Sequence, residues 1–353
     1  MGKGPSLKPA SQEQAQDWPR LAACLAGEGH VLDLAENPPR QFASGFGNLN
    51  YLIHMDGEAM VLRRPPLGPI PPGGNDMGRE SGILSTLWKE FPLAPRCRFA
   101  CADPDVVGAP FFIMDYRDGL VIGGEVPAEI AAPDRRRIGL RLMEVLADLH
   151  AVDPAAVGLD GLGRPEGFLG RTIEGWSKRA HLAWGEETPA LVGEIGDWLR
   201  ARVPADHAVS LIHNDFKLDN VILDRDSLEP VAVLDWDMGT RGDPLFDLAV
   251  TLAYWTEAAD PDVMHRLHQM PTAAPGFPTR AEAMQAYAGA SGRDLADFAF
   301  QRVLGQFRLA VVFAQLFRRW REGGTNDPKF AEFGPLSDDL LVFSHDIAMG
   351  RVD

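Results

Sequence analysis

Asp215, Lys217 and Asn220 lie close together in the stretch HNDFKLDN, which spans residues 213–220. The stretch holds one His, two Asp, one Lys and two Asn, and these residue types allow three interpretations. They could bind a metal ion, handle a phosphate group, or form only a polar turn after a buried strand. The residues immediately after Asn220 favour the second interpretation.

Two short apolar segments come next, Val221 to Leu223 and Val231 to Leu234, and the polar turn between them predicts a β-hairpin. Because a hairpin brings its ends together, Asn220 and Asp235 are expected to be neighbours. Two oxygen ligands suit Mg²⁺, which keeps several waters and bridges nucleotide phosphates. Asp215 is then free to accept or orient a proton.

The same stretch resembles the protein-kinase catalytic loop, and Asp235 in VLDWD resembles the Asp of D-F-G. The closer resemblance is to the aminoglycoside phosphotransferase and choline kinase-like family, in which H-x-D-x-x-x-x-N precedes a strand ending in I-D-W-E or similar. The segment GDPLFDLA, residues 242–249, also fits that family. The resemblance implies ATP as co-substrate, Asp215 and Lys217 as catalytic residues, and Mg²⁺ held by Asn220 and Asp235.

Upstream segments extend the resemblance to the nucleotide. The stretch VLRRPP places Arg63 where the family presents a Lys to the phosphates, and Glu80 matches the acidic partner of that cation. Arg at this position is typical of a branch whose members include proteins fused to acyl-CoA dehydrogenase domains. Arg64 is expected to face solvent from the other side of the strand. The remaining nucleotide contacts implied are a phosphate-covering loop in SGFGNLNYLI and an adenine-binding hinge in FFIMDYRDG, formed by Ser44, Gly45, Phe46, Gly47 and Asn48 and by Met114, Asp115 and Tyr116.

These residues need elements to position them. Short β-rich runs broken by Gly and Pro, with one helical stretch, fill the chain to about residue 115, and helices dominate beyond about residue 130. Together with the resemblance, this pattern predicts an α+β, protein-kinase-like, two-lobed fold. The predicted domains are a helical N-terminal appendage (1–40), a nucleotide-binding lobe with a small antiparallel sheet (41–116) and a mainly helical lobe with the catalytic loop and substrate site (117–353).

Composition restricts the partners. The 353 residues include 34 basic and 50 acidic residues, a net charge of -16, which disfavours nucleic acid and anionic membranes as partners. The three cysteines fit free thiols in a reducing compartment, and the chain start lacks the apolar core of a signal peptide. We therefore expect a cytoplasmic protein, and the sequence predicts no oligomeric state.

The resulting hypothesis is an ATP-dependent phosphotransferase, with GTP less favoured, acting on a small-molecule hydroxyl. Only seven residues separate Asp235 from Asp243, too few for the long segment on which protein kinases dock peptides. The acyl-CoA dehydrogenase fusions favour a hydroxyacyl compound or its CoA thioester, and an aminoglycoside or amino alcohol stays open. The other classes left open are a nucleotide-binding pseudokinase and a metallohydrolase using His213, Asp215 and Asp235.

Overall fold

The computed structural model describes residues 6–43, 47–68, 75–205, 209–324 and 327–352. They form two compact units. The first takes in the described residues up to Val121, together with Ala155–Asp160 and Val221–Gly239; the second comprises Ile122–Pro154, Gly161–Asn220 and the chain from Thr240 onward. The domain boundaries at residues 40/41 and 116/117 stay a prediction.

A five-stranded antiparallel sheet forms the centre of the first unit, in the order β1-β2-β3-β5-β4. Strands β2 and β3 are joined at Asp56 and Gly57, both with positive φ, as a tight hairpin turn requires. The register places Arg63 of β3 opposite Asn50 of β2 and Phe112 of β5. The strands are β1 (Arg40–Gln41), β2 (Leu49–Met55), β3 (Glu58–Arg64), β4 (Cys97–Cys101) and β5 (Phe111–Asp115).

The first helix, α1 (Trp18–Gly27), packs on this sheet. It begins after Asp17, whose side chain accepts a hydrogen bond from Arg20 N (3.0 Å) and so caps the helix. Leu21 and Leu25 are fully buried in one core with apolar side chains of β2, β3 and β5. The apolar face of this amphipathic N-terminal helix is therefore part of the hydrophobic core of the sheet.

The second helix, α2 (Met77–Thr86), carries Glu80 in its first turn. Asp76 caps it by accepting from Arg79 N (3.0 Å). The buried face of α2 includes Ile83, Leu84 and, unusually for a carboxylate, Glu80 itself. A charged group on the apolar face of a helix indicates a specific partner.

The predicted hairpin is present in the first unit. Strand β8 (Val221–Leu223) pairs with β9 (Pro230–Val233) in an antiparallel arrangement that sets Val221 opposite Val233, and β6 (Leu120–Val121) pairs with β8 on its other side. The chain then passes through Asp235 into a single 3-10 turn, Trp236–Met238.

Among its described residues the second unit is mainly helical, and its strand β7 (Ser210–Ile212) pairs with β10 (Thr240–Gly242). The longest helix described, α9, packs against α4, α6 and α10. Gly305 permits its close approach to α6, because a Cβ there would lie 2.7 Å from Ala249 O. The helices are α3 (Ala132–Ala151), α4 (Phe168–Trp184), α5 (Ala190–Arg200), α6 (Pro244–Ala253), α7 (Asp262–His265), α8 (Arg280–Ser291), α9 (Ala299–Arg321) and α10 (Phe333–Ala348). In the part of the chain that is described, no helix is both long and apolar enough to cross a membrane.

Candidate active site

Arg63, Glu80 and Asp235, here called the Arg63 cluster, meet inside the first unit. Arg63 Nε donates to Glu80 Oε2 (2.9 Å), and Arg63 Nη2 donates to Asp235 Oδ1. The other oxygen of Glu80 accepts from the backbone N–H of Trp236 (3.2 Å). The ion pair expected between Arg63 and Glu80 is thus formed, and it extends to Asp235.

The electrostatics of the Arg63 cluster reflect burial among carboxylates. Burial opposes the charge on Arg63, but Glu80 and Asp235 outweigh it and hold its pKa above the ordinary value. Burial and the negative charges of Asp235 and Asp237 raise the pKa of Glu80 to about 7, against the opposite effect of Arg63. Arg63 therefore stays charged in the interior.

The expectation for Arg64 was wrong. Its side chain is buried, and its guanidinium donates to Gln16 Oε1 (2.7 Å) and to the backbone carbonyl of Val107. Alternation along the strand does turn it away from Arg63, but that face is covered by the segment before α1 instead of by solvent. Arg64 is a structural cation of the first unit.

Of the predicted phosphate-covering loop, Ser44, Gly45 and Phe46 lie outside the described residues. Gly47 is exposed, and its carbonyl accepts from Asn75 Nδ2 (2.6 Å). Asn48 is buried, and in the amide orientation that satisfies both groups its oxygen accepts from Arg63 Nη2 (2.8 Å). Asn48 thereby links the loop to the Arg63 cluster.

The predicted hinge residues lie at the end of β5. Met114 is buried and Asp115 forms ion pairs with Arg98 (2.6 Å) and Arg117 (3.4 Å). The Tyr116 hydroxyl donates to Asp118 (3.1 Å), and burial with the nearby carboxylate raises the pKa of Tyr116 to about 12. The side chains of Asp115 and Tyr116 are thus held by local contacts, and a role for this segment in adenine binding stays a prediction.

In the second unit, Asp247 on α6 holds the start of the HNDFKLDN loop. Its carboxylate accepts from the backbone N–H groups of His213 and Asn214, both at 2.7 Å, and contacts His150 Nε2 (3.1 Å). Asn214 has a left-handed backbone (φ 64°), which turns the chain into Asp215. His213 Nδ1 accepts from Asp215 N (3.3 Å), as expected of a residue that holds the loop. His150 is a buried core residue, as the sequence indicated.

This network predicts sensitivity to acid. Burial raises the pKa of Asp247, but His150, His213 and the donated hydrogen bonds outweigh it and lower the pKa below 3.8. A lowered folded-state pKa gives stability that is present above the unfolded value and lost as the pH falls through the folded value. We expect Asp247→Asn to lower the free energy of unfolding by about 1–3 kcal/mol at neutral pH, with a difference from wild type that narrows below about pH 4.

Urea unfolding from pH 7 to pH 3 measures this effect. Asp262→Asn is the matched control, because Asp262 is exposed and, among the described residues, its ion pair is with Arg266 across one helical turn (3.0 Å). A difference between wild type and Asp247→Asn that stays constant over the pH range would contradict the prediction.

Asp215 sits among cations and one phenol in the second unit; Asp215, Lys217, Tyr254 and Arg308 are here called the Asp215 cluster. The Tyr254 hydroxyl donates to Asp215 Oδ1 (3.0 Å), Lys217 Nζ lies 3.8 Å from Oδ2, and Arg308 Nη2 lies 3.9 Å from Oδ1. Asn220 Nδ2 donates to the backbone carbonyl of Asp215 (2.8 Å). The carboxylate is therefore oriented by the hydrogen bond from Tyr254 and flanked by two cations, Lys217 and Arg308.

Lys217 is mostly enclosed within this cluster. Its ammonium group pairs with Asp219 (3.2 Å) and lies 5.2 Å from the centroid of the Tyr254 ring. Burial opposes its charge, but Asp215, Tyr254 and Asp219 outweigh that effect and raise its pKa above the ordinary value. Lys217 is therefore charged and directed at the predicted base.

Sequence reasoning missed Tyr254 and Arg308. Arg308 is 2% exposed on α9, donates to the carbonyl of Asn214 (2.7 Å) and stacks on Trp176 (5.3 Å from Cζ to the ring centroid). The available signal was a charged residue on the otherwise apolar face of FRLAVVF. Tyr254 offered none, since a Tyr that ends an apolar helix usually packs in the core.

Oxygen donors are present at both predicted metal ligands. The amide nitrogen of Asn220 is used by Asp215, so its oxygen can serve as a ligand, and Asp235 is well exposed at its side chain (39%). These hard oxygen donors suit Mg²⁺, which needs few protein ligands. Groups of three or more His, Cys, Asp or Glu that could hold a metal, which the metallohydrolase interpretation required, do not occur among the described residues.

An antiparallel sheet with a buried Arg–Glu pair, and a helical unit with an H-x-D-x-x-x-x-N loop, define the class of kinase-like phosphotransferases. The chain belongs to the phosphotransferase enzyme family, whose family model matches residues 39–283. The predicted kinase-like α+β fold and the predicted family are thereby confirmed. Family membership thus places the chain among the phosphotransferases.

Curated relatives match most of the chain. The chain is 28% identical over 310 residues to acyl-CoA dehydrogenase family member 10 of Mus musculus, covering 87% of this chain and 29% of that protein. It is 30% identical over 296 residues to family member 11 of Rattus norvegicus, covering 81% of this chain and 37% of that protein. The chain thus spans about a third of the length of these curated relatives.

Solved structures match over nearly the whole chain. A protein of Ralstonia eutropha, provisionally named an aminoglycoside phosphotransferase, superimposes with a TM-score of 0.78 and 25% identity, covering 95% of this chain and 99% of that one. An ethanolamine kinase of Plasmodium vivax superimposes with a TM-score of 0.61 and 12% identity, covering 93% and 87% of the two chains. The second match shows the fold alone.

Proposed function

We propose that the protein transfers the γ-phosphoryl group of ATP, with Mg²⁺, to a hydroxyl of a small molecule. The observation that carries this proposal is the Asp215 cluster, in which a carboxylate is fixed by Tyr254 (3.0 Å) and flanked by Lys217 (3.8 Å). A positioned carboxylate and an enclosed cation are the parts that phosphoryl transfer to an alcohol needs.

In the proposed reaction, Asp215 orients the acceptor hydroxyl and takes up its proton. The hydroxyl oxygen forms a bond to the γ-phosphorus as the bond from that phosphorus to the β–γ bridging oxygen breaks, and ADP leaves. Lys217 stabilises negative charge on the transferring group. Most of the rate enhancement then comes from positioning and electrostatics.

The nucleotide side of the proposal rests on the Arg63 cluster and on oxygen donors. Arg63 would position the phosphates, Glu80 would hold Arg63, and Asn220 and Asp235 would hold Mg²⁺. When bound, Mg²⁺ neutralises charge on the phosphate oxygens. The connectivity supports this pairing of ligands, since Asn220 immediately precedes Val221, which pairs with Val233, two residues before Asp235.

The acceptor that we propose is a hydroxyacyl compound or its CoA thioester. The support is that the relatives carry acyl-CoA dehydrogenase names and are about two to three times the length of this chain. An acyl-handling domain joined to a kinase-like domain in one chain favours a shared acyl substrate. Aminoglycosides and amino alcohols are the alternative, which the names of the similar structures favour.

A screen of ADP release tests the function. Wild-type protein with Mg-ATP is assayed over hydroxyacyl-CoAs, hydroxy acids, amino alcohols and aminoglycosides, with Asp215→Asn as the control. We expect acceptor-dependent ADP release that the substitution lowers by at least about 100-fold. A thermal shift with Mg-ATP but no turnover on any acceptor would instead favour the pseudokinase.

A further inference from the structure

Two guanidinium groups share one indole ring in the second unit. Trp176 on α4 is 8% exposed, and the Cζ atoms of Arg179 and Arg308 lie 4.7 Å and 5.3 Å from its ring centroid. Arg308 comes from α9 and is buried, whereas Arg179 lies one turn further along α4 and is exposed. The ring therefore joins a surface cation to a buried one.

Arg308 and Arg179 differ in the groups that neutralise their charge. Arg308 donates to the carbonyl of Asn214 (2.7 Å) and lies 3.9 Å from Asp215 Oδ1. Within the described ranges, no carboxylate pairs with Arg179; partial burial and the positive charge of Arg308 lower its pKa. A guanidinium beside a like charge and without a counter-ion attracts an anion.

We propose that Arg179, stacked on Trp176, binds an anionic group of the acceptor and so selects hydroxyl substrates that carry a carboxylate or a phosphate. The inference rests on the proposed phosphoryl transfer at Asp215. Arg308 connects the proposed anion site at Arg179 to the proposed base, Asp215. It contacts both the Trp176 ring, on which Arg179 stacks, and the carboxylate of Asp215. Arg179 can meet such a group with two parallel N–H donors.

The same arrangement disfavours cationic acceptors. Asp215 and Asp219 are the carboxylates next to the predicted transfer point, and Lys217 and Arg308 already face them. An amino alcohol or aminoglycoside would bring its ammonium groups toward Arg179, a cation with which no carboxylate of the described residues forms an ion pair. Like charges at such distances repel, and a low local dielectric strengthens the effect.

Matched acceptor pairs test the site. The probes are 3-hydroxybutanoate against its amide, glycerol 3-phosphate against glycerol, and 3-hydroxybutanoyl-CoA against its N-acetylcysteamine thioester. The first pair varies a carboxylate and the other two vary phosphates, so they identify which group is bound. Calorimetry gives Kd for each probe in the presence of Mg-ADP, and ADP release gives KM and kcat.

Three variants are compared with wild type. For the anionic member of a pair, we expect Arg179→Gln to raise Kd and KM by about 10- to 100-fold with kcat nearly unchanged, the value of a charge-assisted hydrogen bond. Arg179→Lys should recover part of the loss. Lys178→Gln is the control, because it removes a neighbouring exposed charge from the same helix, and it should leave Kd unchanged.

The outcomes separate the two proposals. Arg179-dependent binding of an anionic probe without phosphoryl transfer supports the anion site and contradicts the proposed function. Three results would overturn the anion site. The first is phosphoryl transfer with the same KM in wild type and Arg179→Gln, and the second is an equal rise of Kd in Lys178→Gln. The third is that no anionic probe binds.

Discussion

Replacing Asp215 with Asn is expected to lower kcat by about 10²- to 10⁴-fold, the contribution typical of a general base. The amide keeps the shape of the side chain and can still accept from the Tyr254 hydroxyl, which lies 3.0 Å from Oδ1 in the wild type. It cannot take up the proton of the acceptor. ADP release at saturating acceptor measures the loss, and the thermal shift with Mg-ATP should remain.

Asp219→Asn is the matched control for this substitution. Asp219 is in the same loop and pairs with Lys217 (3.2 Å), so its replacement removes the same charge nearby. We expect a much smaller loss of kcat, because Asp219 is not in the proposed position to receive the proton. Full activity of Asp215→Asn, or equal losses in both variants, would contradict the assignment of Asp215 as the base.

Replacing Arg63 with Met is expected to lower the free energy of unfolding by about 3–5 kcal/mol, the cost of breaking a buried ion pair by removing one partner. Arg63 is 6% exposed, and Glu80 is 1% exposed. Without the guanidinium, Glu80 is left in the interior beside Asp235, and its pKa, already raised to about 7, should rise further. A raised folded-state pKa gives stability below the unfolded value that is lost as the pH rises, so the variant should be relatively more stable at pH 5 than at pH 8.

Denaturant unfolding at both pH values measures this effect. The double variant with Glu80→Gln should recover part of the loss, because it removes the unpaired carboxylate. Arg98→Met is the control in the same sheet: Arg98 pairs with Asp115 (2.6 Å) but is 34% exposed, and such a pair contributes at most about 1 kcal/mol. Equal decreases in the free energy of unfolding for Arg63→Met and Arg98→Met would contradict the prediction, because the buried ion pair would then contribute no more than the exposed one.

Arg63→Lys addresses the departure from the family pattern. The Arg63 guanidinium donates hydrogen bonds from two different nitrogens, from Nε to Glu80 and from Nη2 to Asp235. A lysine has one nitrogen, so it can serve both carboxylates only if they approach a single point. The bridging geometry gives a physical reason for Arg at this position.

Local sequence patterns were sufficient to predict the β8–β9 hairpin and the HNDFKLDN loop that precedes it. The alternation of apolar and turn residues predicted β8 and β9 to within one residue, and short-range hydrogen bonding explains the positions of His213 and Asn220. Both features depend on residues near one another in the chain. A sequence pattern can predict such features because it reflects contacts between residues that are close together in the chain.

The surroundings of Asp215 could not be predicted in the same way. Tyr254 and Arg308 come 39 and 93 residues after it, and no repeat or spacing connects them to the loop. Their approach depends on how α6, α9 and α4 pack, which is a property of the helical core. The burial of Arg64 was missed for a related reason, since the segment that covers it precedes α1.

A single carboxylate holds three elements of the first unit together. Glu80 on α2 binds Arg63 of β3 through one oxygen and the N–H of Trp236, just after β9, through the other. A rotation of α2 that withdrew Glu80 would release both contacts in one event. The Arg63 cluster should therefore behave as a cooperative unit, either assembled or dispersed, and a ligand that contacts Arg63 would stabilise the orientation of α2 as well.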